Sequence, residues 1–239
     1  MKIFIDVGMN QGQTISAILE PTHGFDRLYC KYKFDRIYGF EPVPQLHALV
    51  KSRFRDSRFT LYPAGLWKET CSRPVYSPGT QSASIFPDKT NVDPSHTLQC
   101  NFIRASDWFR DHIADNDEVY MKLNCEGSEA DIIEDLLDAD QYFKLTSVLV
   151  AFDVRKVPSQ TYREDVIKRR LQENGCSNLV EWETLPGQSR RERIERWLTM
   201  CGAARISRTE RWRHVVYRVR TFLARASRYA GRRLSHRER

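Results

Sequence analysis

Apolar positions along this chain fall into two kinds of pattern that take turns. Short apolar-rich runs cover residues 3–7, 37–40, 59–62, 118–123 and 147–153, each closed by turn-forming or polar residues. Runs of that length predict strands buried on both faces. Between them the spacing changes to three and four: over 14–19, over 45–54 with Leu46, Leu49, Val50 and Phe54, over 107–113, and over 128–137 with Ile132, Ile133, Leu136 and Leu137. That spacing predicts helices with one buried face. Strand–helix alternation with continuous apolar strands predicts an α/β fold, a doubly wound and mostly parallel sheet covered on both sides.

Two stretches depart from the rhythm. Residues 67–76 suggest a hairpin, and the Pro- and Ser-bearing stretch 77–98 reads as a long surface excursion, a length usually met in lids and binding loops. Residues 21–33 read as a loop or small insertion. Beyond Pro158 the pattern predicts a helix over 162–173 stopped by Asn174-Gly175, a strand over 179–184 and a helix over 190–201. In 205–239, Trp212, Val215, Val216, Val219, Phe222, Leu223 and Ala226 favour an amphipathic helix, with a strand over 214–219 as the other reading.

Charge divides the chain more sharply than hydropathy does. Residues 205–239 hold twelve Arg, no Lys and two acids, a net +10, so the formal +7 of the whole leaves about −3 on residues 1–204. The expected organisation is a mildly acidic body, 1–204, and an Arg-rich tail, 205–239. An Arg-rich amphipathic helix suits an anionic membrane surface, or it packs on the body with its arginines solvated. No base-stacking motif points to nucleic acid. Met1 is followed at once by strand-like residues and no run approaches a membrane span, which predicts a cytoplasmic protein, membrane-peripheral if the tail binds lipid. Six scattered Cys, without CxxC or His at ligand spacing, predict reduced, mostly buried thiols and no metal site.

Candidate chemistry gathers where predicted strands end. The first runs into Asp6-Val7-Gly8-Met9-Asn10-Gln11-Gly12, where Gly8 and Gly12 allow the backbone close to a ligand. The turn lacks the GxGxxG spacing of a pyrophosphate site. The second ends in Phe40-Glu41-Pro42, where a carboxylate can accept the ribose hydroxyls of an adenosine-containing ligand. The fourth ends in Lys122-Leu123-Asn124-Cys125-Glu126-Gly127-Ser128-Glu129; alternation puts Lys122 and Asn124 on one face, and Ser128 reads as a helix N-cap.

These segments, with Pro63-Ala64-Gly65-Leu66, Ser82-Ala83-Ser84 and Ser106-Asp107-Trp108, resemble the FkbM-type methyltransferases, a branch of the Rossmann-like class I S-adenosylmethionine enzymes. The resemblance covers about residues 3 to 153, and the Glu126-Gly127-Ser128-Glu129 segment is its most specific part. It implies a methyltransferase domain that uses S-adenosyl-L-methionine to methylate a hydroxyl on a sugar, glycolipid or small metabolite. It implies that the Asp6–Gly12 turn, Asn10 included, wraps the methionine part, that Glu41 holds the ribose, and that Ala64 borders the adenine. Two positions depart from the family: Asn124 stands where Asp is usual, and Asp153 where Glu is common. Glu126, Asp153 and His96 are the candidate general bases, and Asn124 can orient the acceptor or the cofactor's amino group. The rival readings are an NAD-dependent oxidoreductase, disfavoured by the missing GxGxxG, and a non-catalytic binding protein of the same fold, which Asn124 motivates.

Overall fold

The computed structural model describes residues 1–20 and 32–203. Its strands are β1 (Lys2–Val7), β2 (Arg36–Phe40), β3 (Phe59–Tyr62), β4 (Gly65–Trp67), β5 (Cys71–Tyr76), β6 (Thr97–Arg104), β7 (Glu118–Leu123), β8 (Leu145–Val150) and β9 (Leu179–Glu181). Its α-helices are α1 (Gln13–Leu19), α2 (Pro44–Arg53), α3 (Ala105–His112), α4 (Glu129–Asp138), α5 (Arg163–Glu173) and α6 (Arg190–Met200). Six strands form one sheet in the order β3-β2-β1-β7-β8-β9, every pairing parallel. The predicted doubly wound α/β fold is what forms.

Period-two alternation divides the core. Ile3, Ile5 and Val7 of β1 face one side, together with Met121, Val148 and the apolar faces of α3, α4 and α5. Phe4 faces the other side, with Tyr120, Leu149, Ile15 of α1, and Ile194, Trp197 and Leu198 of α6. Strand order reverses between β1 and β7, and open α/β sheets present their ligand crevice at the carboxyl ends of the strands flanking such a point. Lys2 Nζ donates to the Ala203 carbonyl at 2.5 Å, so Ala203, the last described residue, lies at the amino end of β1, opposite that crevice. The tail and the 21–33 insertion fall on or across 21–31 and 204–239, outside the described residues.

Several local expectations need correction. Residues 67–76 make no hairpin: β4 pairs parallel and β5 antiparallel with β6, in a separate sheet ordered β4-β6-β5. The predicted last strand is shorter, because Trp182–Thr184 turns into a 3-10 helix after β9. Leu49 lies off the buried stripe of α2 and is 46% exposed, while Leu46 and Val50, one turn apart, are buried. Of the cysteines among the described residues only Cys100 is fully buried; Cys71, Cys125, Cys176 and Cys201 are intermediate, and all five are free thiols. The Asn174-Gly175 stop holds, with Gly175 left-handed and Cys176 N–H closing on the Leu171 carbonyl.

The small sheet is fastened above the carboxyl edge by acids of α4. Asp131 accepts from Trp67 Nε1 at 2.8 Å and pairs with Arg163, and Asp135 accepts from Arg104 Nε and from Ser106 N–H, both at 2.7 Å. These α4 carboxylates are buried and are satisfied by partners from three other segments, so they fix the roof of the crevice. None of the described helices is long and apolar enough to cross a membrane.

Candidate active site

A cavity of about 570 Å³ opens at the switch point, within the size range of small-molecule and cofactor sites. Its first half is bordered by Gly8, Asn10, Glu41, Val43 and Leu66, its second by Asn124, Glu126, Asp153, Lys156, Trp182 and Arg190. Residues 79–85 and Asn91 of the long excursion cover it.

The first half is made mainly by backbone. Gly8 has φ +72, and a Cβ there would lie 2.0 Å from the Asn124 carbonyl oxygen, so only glycine lets β1 and β7 end this close together. Asn10 is also left-handed, with φ 52. Its N–H donates to Glu41 Oε2 at 2.8 Å, and Val43 N–H donates to Oε1 at 3.0 Å. Glu41 is buried, and desolvation pushes its carboxyl up to about 7 despite those two donors; Asp6 adds to the rise and Lys122 opposes it.

Beneath the turn lies a buried ion pair that β-register produces. Asp6 stands opposite Lys122 in the parallel pairing of β1 with β7. Lys122 Nζ is 2.9 Å from Asp6 Oδ1 and donates to the Gly8 carbonyl at 3.2 Å. The Asp6–Lys122 contact is short but poorly directed for a hydrogen bond, so Asp6 is satisfied by charge alone. Asp6, Gly12 and Ala64 do not line the cavity; Gly8, Asn10 and Glu41 do.

The second half is charged. Glu126 takes a left-handed backbone, φ 56, a conformation that costs a non-glycine residue about 1–3 kcal/mol and is met at functional sites. Gly127 follows with φ +118, and a Cβ on it would meet Val157 at 2.8 Å. Asn124 Nδ2 donates to Glu126 Oε1 at 3.0 Å, and Lys89 Nζ donates to Oε2 at 2.5 Å. Burial and then the Asp153 charge raise the Glu126 carboxyl, while Lys89 and Lys156 pull it down. Asp153 pairs with Lys156 at 2.5 Å.

Glu129 explains why the Glu-Gly-Ser-Glu segment reads as a unit. Its carboxylate is fully buried and turns back to accept from Cys125 N–H at 2.7 Å and Gly127 N–H at 3.1 Å. Burial, then Asp153, pushes it up to about 8. Ser128 does not cap α4 as expected; its hydroxyl donates to the Cys125 carbonyl instead. The structure therefore brings Asn124, Glu126 and Asp153 to one wall, and leaves His96 exposed and outside the lining. Lys89, Lys156, Trp182 and Arg190 went unnoticed in the sequence. Only Lys156, three residues past Asp153, gave a local charge-pairing signal.

No family model and no curated protein matches the chain. Among solved structures it is similar to the methyltransferase FkbM from Methylobacillus flagellatus KT, at 18% identity and a TM-score of 0.40. The match covers 72% of this chain and 37% of that one, little more than a third of its length. A likeness of that size carries no activity across.

Proposed function

We propose that the chain is an S-adenosylmethionine-dependent methyltransferase that methylates a hydroxyl group on a sugar, glycolipid or small metabolite. The observation that carries this reading is Glu41. A buried carboxylate at the end of β2, with one backbone N–H on each oxygen, faces the cavity beside the left-handed turn at Gly8 and Asn10. Each oxygen keeps a lone pair, so together they suit the two hydroxyls of a ribose. The Gly8–Asn10 turn suits the methionine part, and Leu66 offers an apolar wall to the adenine.

S-adenosylmethionine, when bound, supplies a methyl group on a sulfonium whose sulfur keeps the bonding pair as the new oxygen–carbon bond forms. The chain's own share is alignment, exclusion of water and removal of one proton, with alignment contributing up to ~7–11 kcal/mol. Glu126 is the group for the proton. Its two oxygens each receive one donor and retain room for the acceptor's O–H, and burial has moved it toward the pH at which a base works best. Asp153 is already engaged by Lys156, and Asn124 positions Glu126 through its amide.

The sheet order is also that of dinucleotide-binding domains, which makes NAD the sharpest competitor. Equilibrium binding of labelled S-adenosylmethionine and of NAD to the full chain tests the reading. Binding of S-adenosylmethionine that Glu41→Ala abolishes is expected; tight NAD binding without it overturns the assignment. Methyl-transfer profiling against hydroxylated sugars, glycolipids and metabolites then identifies the acceptor.

A further inference from the structure

The excursion between β5 and β6 contains neither helix nor named strand over 77–96, yet it is pinned to both halves of the cavity. Its Thr80 carbonyl accepts from Asn10 Nδ2 at 3.2 Å on the cofactor side. On the other side Ser84 Oγ donates to the Glu126 carbonyl at 2.7 Å, Thr90 N–H to the Lys156 carbonyl at 2.8 Å, and Asp88 accepts from Ser159 N–H at 2.9 Å. These contacts alone would hold the loop down. They leave Lys89 unexplained.

Lys89 has a side chain with no solvent exposure, and its ammonium meets Glu126 Oε2 at 2.5 Å and the Ser82 carbonyl at 3.0 Å. Removing an ammonium from water costs several kcal/mol before its partner repays it, and an apolar side chain of similar size would anchor a loop at least as well. A lysine in this position therefore points to what it does for Glu126. The charged groups facing Glu126 are Lys89 from the excursion and Asp153 and Lys156 beyond β8. Lys156 is committed to Asp153, so Lys89 is the cation in direct contact with the Glu126 carboxylate among the described residues.

We propose that Lys89 is a positioning residue for proton removal: brought in by the excursion, its ammonium fixes the Glu126 carboxylate toward the cavity as a proton acceptor. Asn124 holds one oxygen from the end of β7 and Lys89 holds the other from the roof, so the base is complete only when the excursion is docked. The neutral residue at 124 then has a role, because a second carboxylate there would compete with Glu126 for the same lysine. This rests on the methyl-transfer reading for its purpose, but the pair itself can be tested without cofactor or acceptor.

The full chain, labelled with ¹³C at the Glu side-chain carboxyls, is titrated by NMR over the pH range in which it stays folded, the Glu126 signal being assigned with Glu126→Gln. Lys89→Met should raise the Glu126 midpoint by about one pH unit or more, a tenfold or greater gain in proton affinity. An unmoved midpoint in a folded Lys89→Met chain overturns the proposal. If Lys89→Met fails to fold, the double variant Lys89→Met/Glu126→Gln, which removes the stranded charge, should recover the fold; a double variant equally unfolded also overturns it. Failure of S-adenosylmethionine to bind the unmodified chain would end the methyl-transfer reading and leave the titration result standing.

Discussion

The two halves of the cavity are built by different means. On the β1–β2 side the shape comes from backbone: a glycine at φ +72, an asparagine at φ 52, and a glutamate held by two main-chain N–H groups. On the β7–β8 side it comes from charge: Glu126, Lys89, Asp153 and Lys156 constrain one another across segments far apart in the chain. The first half is thus rigid by covalent geometry and the second by ionic balance. A ligand held without chemistry needs only the former. Proton transfer needs a group whose charge can change, and the proposed base, Glu126, sits where charges set the structure.

The largest effect should come from the charged half. Glu126→Gln keeps the size of the side chain but exchanges one acceptor oxygen for a donor and removes the proposed base, so methyl transfer to the identified acceptor should fall about 10²–10⁴-fold. Calorimetric binding of S-adenosylmethionine should stay within about twofold, because Glu126 does not touch the backbone half. Equal losses of turnover and binding would mean that the halves are not separable.

Below the turn, Lys122→Met strands Asp6 without a partner in the core, which should cost about 3–5 kcal/mol in urea unfolding. Removing both charges, Asp6→Asn with Lys122→Met, should return most of that loss. A double variant as unstable as the single one would show that packing of the lysine stem, not its charge, matters.

The contrast between the halves also explains what the sequence disclosed. Gly8, Asn10 and Glu41 were legible because turn geometry and strand termini are local, and a short continuous apolar run such as β1 announces burial on both faces, with Phe4 in one core and Ile5 in the other. Glu126 and Asp153 were legible as acids after strands. Lys89 was not, since nothing in a polar loop announces that its ammonium will be buried against a residue 37 positions later. For the same reason 67–76 read as a hairpin: β6, the partner both strands needed, lies some twenty residues beyond β5.

Glu41 offers a smaller, pH-dependent effect on the backbone half. Its ordinary value is 4.5 and in the fold it lies at about 7. Between those values the unfolded chain releases the proton and the folded chain keeps it, so this group's contribution to stability falls as pH rises through the window and is level outside it. Glu41→Gln should remove that slope, about 3 kcal/mol over the window, read from urea unfolding at a series of pH values. Affinity for S-adenosylmethionine should move the opposite way, climbing up to about tenfold per pH unit toward neutrality as the ionised carboxylate becomes available to the ribose. A flat affinity profile would place the ribose elsewhere.

The smallest effect tests the residue that sets this chain apart from the family it resembles. Asn124 presents an N–H to Glu126 Oε1 at 3.0 Å, and Asn124→Asp replaces that donor with a second acceptor. Two carboxylates at such a distance cannot both ionise readily, and with one lysine between them they would share a proton. Methyl transfer at neutral pH should therefore drop about tenfold and recover as pH is raised, roughly 1.4 kcal/mol at the transition state. Binding of S-adenosylmethionine should not change, since Gly8 meets the main-chain carbonyl of residue 124 and not its side chain. Faster methyl transfer at neutral pH would mean that the base belongs at position 124, and the charged half would then be centred on the wrong residue.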